Sequence, residues 1–188
     1  MYWQRHSIKC CAISMICEMV KGSGLADPFL TQGRATTMIS FDDLKRIEFF
    51  ADLTDGELIL VQGICQEVSY NSGDYIFAED SPADNLYILK KGKVSIEIKV
   101  ASEKYLSVYT VSRFAEPFGW SAIVEPFRFT ASARSVVDST LFSVDRRRLM
   151  ELIEKDFHMG FLIMRRVAKI ISERVRETRL QLIHTFYG

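Results

Sequence analysis

Histidine is scarce in this chain. Three occur among the 188 residues, His6, His158 and His184, and none lies in a strand-like segment. A metal centre built on a sheet needs convergent imidazole and carboxylate ligands, and a nucleophilic serine needs a neighbouring base. Neither arrangement is offered, so no enzyme and no metal site is expected. Net charge is also lacking. Lys and Arg total 24 and Asp and Glu total 24, which leaves no electrostatic case for nucleic acid as a partner. The four cysteines, Cys10, Cys11, Cys17 and Cys65, show neither a secreted-scaffold spacing nor paired Cys-x-x-Cys knuckles. Reduced thiols in the cytoplasm are expected. Long apolar runs are missing too. The stretch from Ile8 to Val20 falls short of the ~20 residues a spanning helix requires, and it contains Lys9 and Glu18. No small-x-small cleavage site follows it, so neither a membrane anchor nor export is expected.

What is present is an ordinary globular balance, 48% apolar and 26% charged. Residues 1–37 combine Cys, Met and Ile with Gly22, Gly24, Pro28 and Gly33 without long periodicity, and read as a poorly ordered extension. Met38 is an alternative start. From Phe41, Leu44, Ile47, Phe50 and Leu53 recur at helical spacing. Thr54-Asp55-Gly56-Glu57 is a capping box, opening a helix that carries Leu58, Val61 and Ile64.

The period then shortens to two. Strands are expected at 67–70, 75–78, 86–89, 94–98, 106–111, 131–137 and 140–144, with turns at Asn71–Asp74 and Lys90–Lys93. Asp145 caps a helix holding Leu149, Leu152 and Ile153. The run Arg146-Arg147-Arg148 reads as a solvated face. After Asp156 one helix without proline runs to about Phe186, roughly 45 Å at 1.5 Å per residue. Its apolar stripe of Phe161, Met164, Val167, Ile171, Val175, Leu182 and Phe186 extends beyond what its own sheet can cover. A homodimer seam through Met164, Val167, Ile171, Val175 and Leu182 is therefore expected, the alternative being a helix packed along its own barrel.

The order of helix pair, Gly-punctuated strands, Phe-Gly, further strands and long helix resembles the cyclic-nucleotide-binding domain of the catabolite-activator and fumarate–nitrate regulator (CRP/FNR) superfamily. The resemblance covers residues 41–186. It rests on Gly73-Asp74-Tyr75-Ile76-Phe77, on Leu86 to Val94, on Phe118-Gly119 and on Thr130-Ala131-Ser132-Ala133-Arg134-Ser135. It implies an α+β fold, an antiparallel β-roll (a double-stranded β-helix or jelly roll) flanked by N-terminal helices and a long C-terminal helix. Residues 38–155 would form the roll and 156–188 the dimerisation helix.

The resemblance also implies a phosphate-binding cassette at Phe118, Gly119, Trp120, Ser121, Arg128, Phe129, Thr130 and Ala131. In the family a glutamate after the glycine accepts a hydrogen bond from the ribose, and an arginine pairs with the cyclic phosphate. Here Trp120 stands at the glutamate position and Phe129 at the arginine position, with Arg128 one residue early. A one-residue slip in a strand turns a side chain to the other face, so Arg128 reaches the phosphate only if it sits in a loop. Each lost contact is worth ~1.5–3 kcal/mol, so losing both weakens binding by roughly two to four orders of magnitude. A cyclic nucleotide held in the family's manner is not expected. Trp120, Phe127 and Phe129 either fill the pocket or reshape it for a flatter, less charged ligand that stacks.

Cys10, Cys11, Cys17 and Cys65 faintly resemble the ligand set of the iron–sulfur branch of that superfamily. The adjacent pair Cys10-Cys11 does not suit a cubane, and no cluster is expected. No helix-turn-helix follows the long helix before Gly188, so a DNA-reading role is not expected. The function expected is a non-enzymatic regulatory sensor signalling through a dimerising helix, with an unknown small-molecule effector. The alternatives are a protein-interaction module with a filled pocket and a truncated CRP/FNR-type regulator.

Overall fold

Two capping signals start the first two helices. In this computed structural model residues 33–101 and 104–187 are described. Ser40 Oγ accepts from the Asp43 amide at 3.0 Å and starts α1, Phe41–Lys45. Thr54 and Glu57 close the expected capping box at the start of α2, Asp55–Gln62. The helical run expected over 41–53 is broken. Ile47 is extended, at φ −81° and ψ 110°, and a separate 3-10 turn follows at Glu48–Phe50. The break lets Ile47, Phe49 and Phe50 all point inward, where a continuous helix would turn one of them to water.

The strands are β1 Arg34–Met38, β2 Cys65–Tyr70, β3 Tyr75–Phe77, β4 Asn85–Ala101, β5 Lys104–Val111, β6 Pro117–Phe118 and β7 Ser132–Asp145. Among the described residues they form one antiparallel sheet in the order β1-β2-β7-β4-β5, with β3 also on β7 and β6 also on β4. The pattern of residues assigns no strand to 34–38. Its backbone pairs Arg34 with Ser69 and Met38 with Gln66, so β1 is held by hydrogen bonds rather than by an apolar pattern. Residues 1–32, including Cys10, Cys11, Cys17 and His6, lie outside the described residues, as do the side chains of His184 and Phe186.

The turn expected at Lys90–Lys93 is absent. β4 passes straight through it, and β7 likewise joins the two strands expected at 131–137 and 140–144. The β4–β7 ladder runs from Asn85 opposite Asp145 to Glu97 opposite Ser132, with register shifts between Leu89 and Val94. Gly92 sits in that irregular stretch at φ +113°, and its missing Cβ would lie 2.7 Å from Ser139 Cα. The glycine thus makes a bulge that bends the two strands together, where a turn would have separated them. Lys90, beside it, is tied down by Glu67 at 2.7 Å and Asp43 at 3.3 Å.

Two helices complete the fold, α3 Arg146–Lys155 and α4 Phe157–Tyr187. Asp145 caps α3 through the Arg148 amide at 2.9 Å, and Asp156 Oδ1 accepts from the His158 and Met159 amides at the start of α4. Arg147 and Arg148 are exposed as expected, but Arg146 is not simply solvated. Its guanidinium lies 4.8 Å from the Phe127 ring and pairs with Asp84. Met159, Leu162, Ile163 and Val167 bury one side of α4 in the same core as Ile88, Phe142 and Val144. No described helix is long and apolar enough to cross a membrane.

Gly92→Ala is expected to lose about 2–4 kcal/mol, combining an unfavourable positive φ with the clash against Ser139. Urea unfolding followed by circular dichroism measures it, and a loss under 0.5 kcal/mol would contradict the bulge geometry.

Candidate functional site

The site is assembled where β6 delivers its last residue into a tight turn. Gly119 follows Phe118 at φ +74° and opens a four-residue 3-10 helix, Trp120–Ile123. A Cβ on Gly119 would lie 3.2 Å from Phe129 and 3.4 Å from Phe77, so only glycine suits both the turn and the close aromatic packing. The chain returns through Phe127, Arg128 and Phe129 to the start of β7.

A cavity of about 210 Å³ lies between this segment and β4–β5. Gly119, Trp120, Ser121, Phe129, Thr130 and Ala131 form one wall. Ile96 and Ile98 of β4, Val108 and Tyr109 of β5, and Phe77 complete it. Six of the eight expected cassette residues therefore come together. Two do not. Phe118 is fully buried beneath the cavity, stacked on Tyr87 at 5.6 Å, and serves the core. Arg128 is exposed and points away. It bridges to Pro82, and its guanidinium donates to the Asp80 carbonyl. Arg128 thus precedes β7, outside any strand, but its side chain is held outward by the Asp80 carbonyl and does not line the cavity.

Phe129 takes the inward position. Its ring lies 3.7 Å from that of Phe77 at 9°, and both are nearly fully buried. The same two rings also line an open cleft of about 510 Å³, whose wall mixes apolar residues such as Val68 and Ile76 with Gln66, Asp84, Asn85 and Ser143. No described Arg, Lys, His, Asp or Glu lines the smaller cavity. An anionic ligand would find no counter-charge there, whereas a flat neutral one would meet aromatic faces.

Residue-pattern reasoning missed Phe77 and Tyr109, which the alternation within β3 and β5 marks only as strand residues. Burial pushes the Tyr109 hydroxyl up to about 12, so it is a neutral donor across the physiological range. It also missed Glu116, just before β6. Burial alone would raise this carboxyl. The Arg113 and Ser112 amides and the Arg174 guanidinium more than offset that and hold it below the usual carboxylate range.

The stripe expected on the long helix divides in two. Val167 is 1% exposed, buried by the chain's own residues, and Ile171 packs at the edge of the same core. Val167 is therefore not available to a second copy. Met164, Val175 and Leu182 are exposed. With Phe157 and Phe161 they fall on one side of α4, at steps of four and three or their sums.

His158 is exposed, as expected, yet its Nδ1 lies 3.1 Å from Glu57 Oε1. With Asp156 these groups place three metal-capable atoms within 4.8 Å of one another. Both carboxylates already cap helix N-termini, where the backbone dipoles disfavour a cation. Of the cysteines, Cys65 alone is described; it is buried at the start of β2. Burial pushes its thiol up to about 12, so at pH 8 it is a neutral thiol. Iodoacetamide at pH 8 should leave Cys65 unmodified in the folded chain and label it after denaturation, read by peptide mass spectrometry. Labelling of the folded chain within minutes would contradict the burial.

A model of the cyclic nucleotide-binding domain matches residues 67–156. A crystal structure described as a cyclic nucleotide-binding protein from Geobacter metallireducens GS-15 superposes with a TM-score of 0.67 at 33% identity, over 73% of this chain and 99% of that one. The CRP-like cAMP-activated global transcriptional regulator of Mycobacterium tuberculosis is 27% identical over 139 residues, which are 74% of this chain and 60% of the regulator. A cGMP-dependent protein kinase of Drosophila melanogaster is 30% identical over 117 residues, 60% of this chain and 12% of the kinase. The chain thus spans less than two thirds of either curated relative.

Proposed function

This chain belongs to the cyclic nucleotide-binding domain family, and from that premise we propose a non-enzymatic regulatory module whose pocket takes an uncharged, flat ligand in place of a cyclic nucleotide. The observation that carries this reading is the Phe129–Phe77 stack, at 3.7 Å and 9°, standing where the family's arginine is expected. A guanidinium at that position would meet the phosphate. A phenyl ring leaves the phosphate unpaired and supplies a stacking face instead. Trp120 at the neighbouring position likewise replaces an acceptor for the ribose with an indole.

The cavity's size favours a second reading. At about 210 Å³ it is smaller than the roughly 300–1,000 Å³ of most ligand sites. The two phenylalanines would then fill the pocket of an interaction module that binds no effector. A thermal-shift screen of neutral aromatic metabolites separates the two. Stabilisation that disappears in Trp120→Ala supports the sensor, and a flat response across the library supports the filled pocket.

Isothermal titration with cyclic AMP and cyclic GMP should show no binding to the wild-type chain at micromolar concentrations. The double variant Trp120→Glu/Phe129→Arg restores both polar contacts, and its affinity for cyclic AMP should exceed the wild type's by about 10²–10⁴-fold. Micromolar binding by the wild type would sink the proposal.

The output runs through α4. The exposed side carrying Phe161, Met164, Val175 and Leu182 supports pairing with a second copy of the chain, since a continuous apolar helix face is stable in water only when covered. Sedimentation velocity should give a dimer that Val175→Glu/Leu182→Glu converts to a monomer. A wild-type monomer at tens of micromolar, on the order of typical dimer affinities, would refute the seam.

A further inference from the structure

The long helix parts from the domain body at one side chain. Arg174 is the last described residue of α4 that is not exposed, and every residue from Val175 to Ile183 is exposed. Its guanidinium has three partners. It pairs with Glu116 Oε1, it reaches Glu177 Oε2 at 2.7 Å, and its flat face lies 4.2 Å from the centre of the Tyr109 ring. Glu116 is itself fixed, since its Oε2 accepts from the Ser112 and Arg113 amides at 3.2 and 3.1 Å. The backbone around it is bonded to β4, Leu89 N to Glu116 O at 3.0 Å and Ala115 N to Leu89 O at 2.8 Å.

Tyr109 belongs to two places at once. It carries the Arg174 stack, and it lines the cassette cavity together with Trp120. A ligand entering that cavity and the helix leaving the body therefore both meet Tyr109.

We propose that Arg174 is the coupling residue through which the cavity and the long helix hold each other. The inference rests on reading the cavity as input and α4 as output. An occupant that turns or displaces the Tyr109 ring removes the face on which the guanidinium lies, and leaves the ion pair with Glu116 as the remaining tie of Arg174 to the body. A second copy that draws α4 outward takes Arg174 off Tyr109 and changes the cavity in turn. Coupling of this kind is reciprocal by thermodynamic necessity. Arginine is required because one planar group must stack on a ring and pair with a carboxylate together, which an ammonium cannot do.

The test uses the full chain without ligand, in a Trp3→Phe background that leaves Trp120 as the sole tryptophan. Hydrogen exchange over residues 168–180 reports the helix, and Trp120 emission with acrylamide quenching reports the cavity. Tyr109→Leu should speed exchange in that stretch about five- to tenfold, while Tyr109→Phe leaves it unchanged. Arg174→Gln and Arg174→Lys should both shift Trp120 emission and raise its quenching, although lysine keeps the charge opposite Glu116. Wild-type exchange in Tyr109→Leu would overturn the proposal. So would an Arg174→Gln variant whose helix exchanges faster while Trp120 is unchanged, since that is a structural tie and nothing more. Circular dichroism establishes that each variant folds, and if Tyr109→Leu does not, the Trp120 readings of the Arg174 variants decide. No arm needs a ligand, so a failure to find any occupant for the cavity leaves this result standing.

Discussion

The antiparallel ladder between β4 and β7 is the constraint from which the rest of this molecule follows. These are the two longest strands among the described residues, and each carries partners on its other edge: β2 and β3 on β7, β5 and β6 on β4. A flat ladder of that length would leave both faces of the sheet open. The register shifts around Gly92 bend it, so that the Asn85 end pairs with Asp145 at the start of α3 while the part of β4 carrying Ile96 and Ile98 faces the cassette. The cavity exists because that bend brings Ile96 and Ile98 together with Trp120 and Phe129. Its position is thus a property of the backbone, which side-chain replacements at the cassette leave intact.

What those replacements alter is the chemistry inside. A buried arginine needs an anion or it costs several kcal/mol in desolvation. A site that keeps its guanidinium must therefore keep its ligand, or water, close by. Phenylalanine at position 129 removes that demand. With Phe77, Phe118 and Tyr87 it continues a buried aromatic cluster.

Much of this was legible in the residues, and the illegible parts have physical reasons. The capping residues Thr54 and Asp145 announce their helices because a side-chain acceptor three residues before a free amide has one common use. Trp120 and Phe129 could be placed at the cassette because flanking motifs fix their register. Gly92 could not be assigned between turn and bulge, since both need the same positive φ and differ only in what lies across the ladder. Arg128 precedes β7, and spacing does not say which way a side chain outside a strand turns. Val167 and Val175 lie on a common heptad-like run, and spacing alone cannot tell the chain's own core from a neighbouring chain. The pair Glu116 and Arg174 is separated by 58 residues, and nothing local marks either one.

The exit of α4 from the body at Arg174 has a mechanical consequence. From there to Tyr187 the helix continues for roughly 20 Å without turning back. A stiff rod pivoting at a fixed point magnifies angle into distance, so a tilt of about 10° at Arg174 carries the far end through roughly 3.5 Å. That is close to one residue's advance along a strand. A change at Tyr109 no larger than the rotation of one ring could therefore arrive at the helix tip as a displacement large enough to exchange one set of side-chain contacts for another.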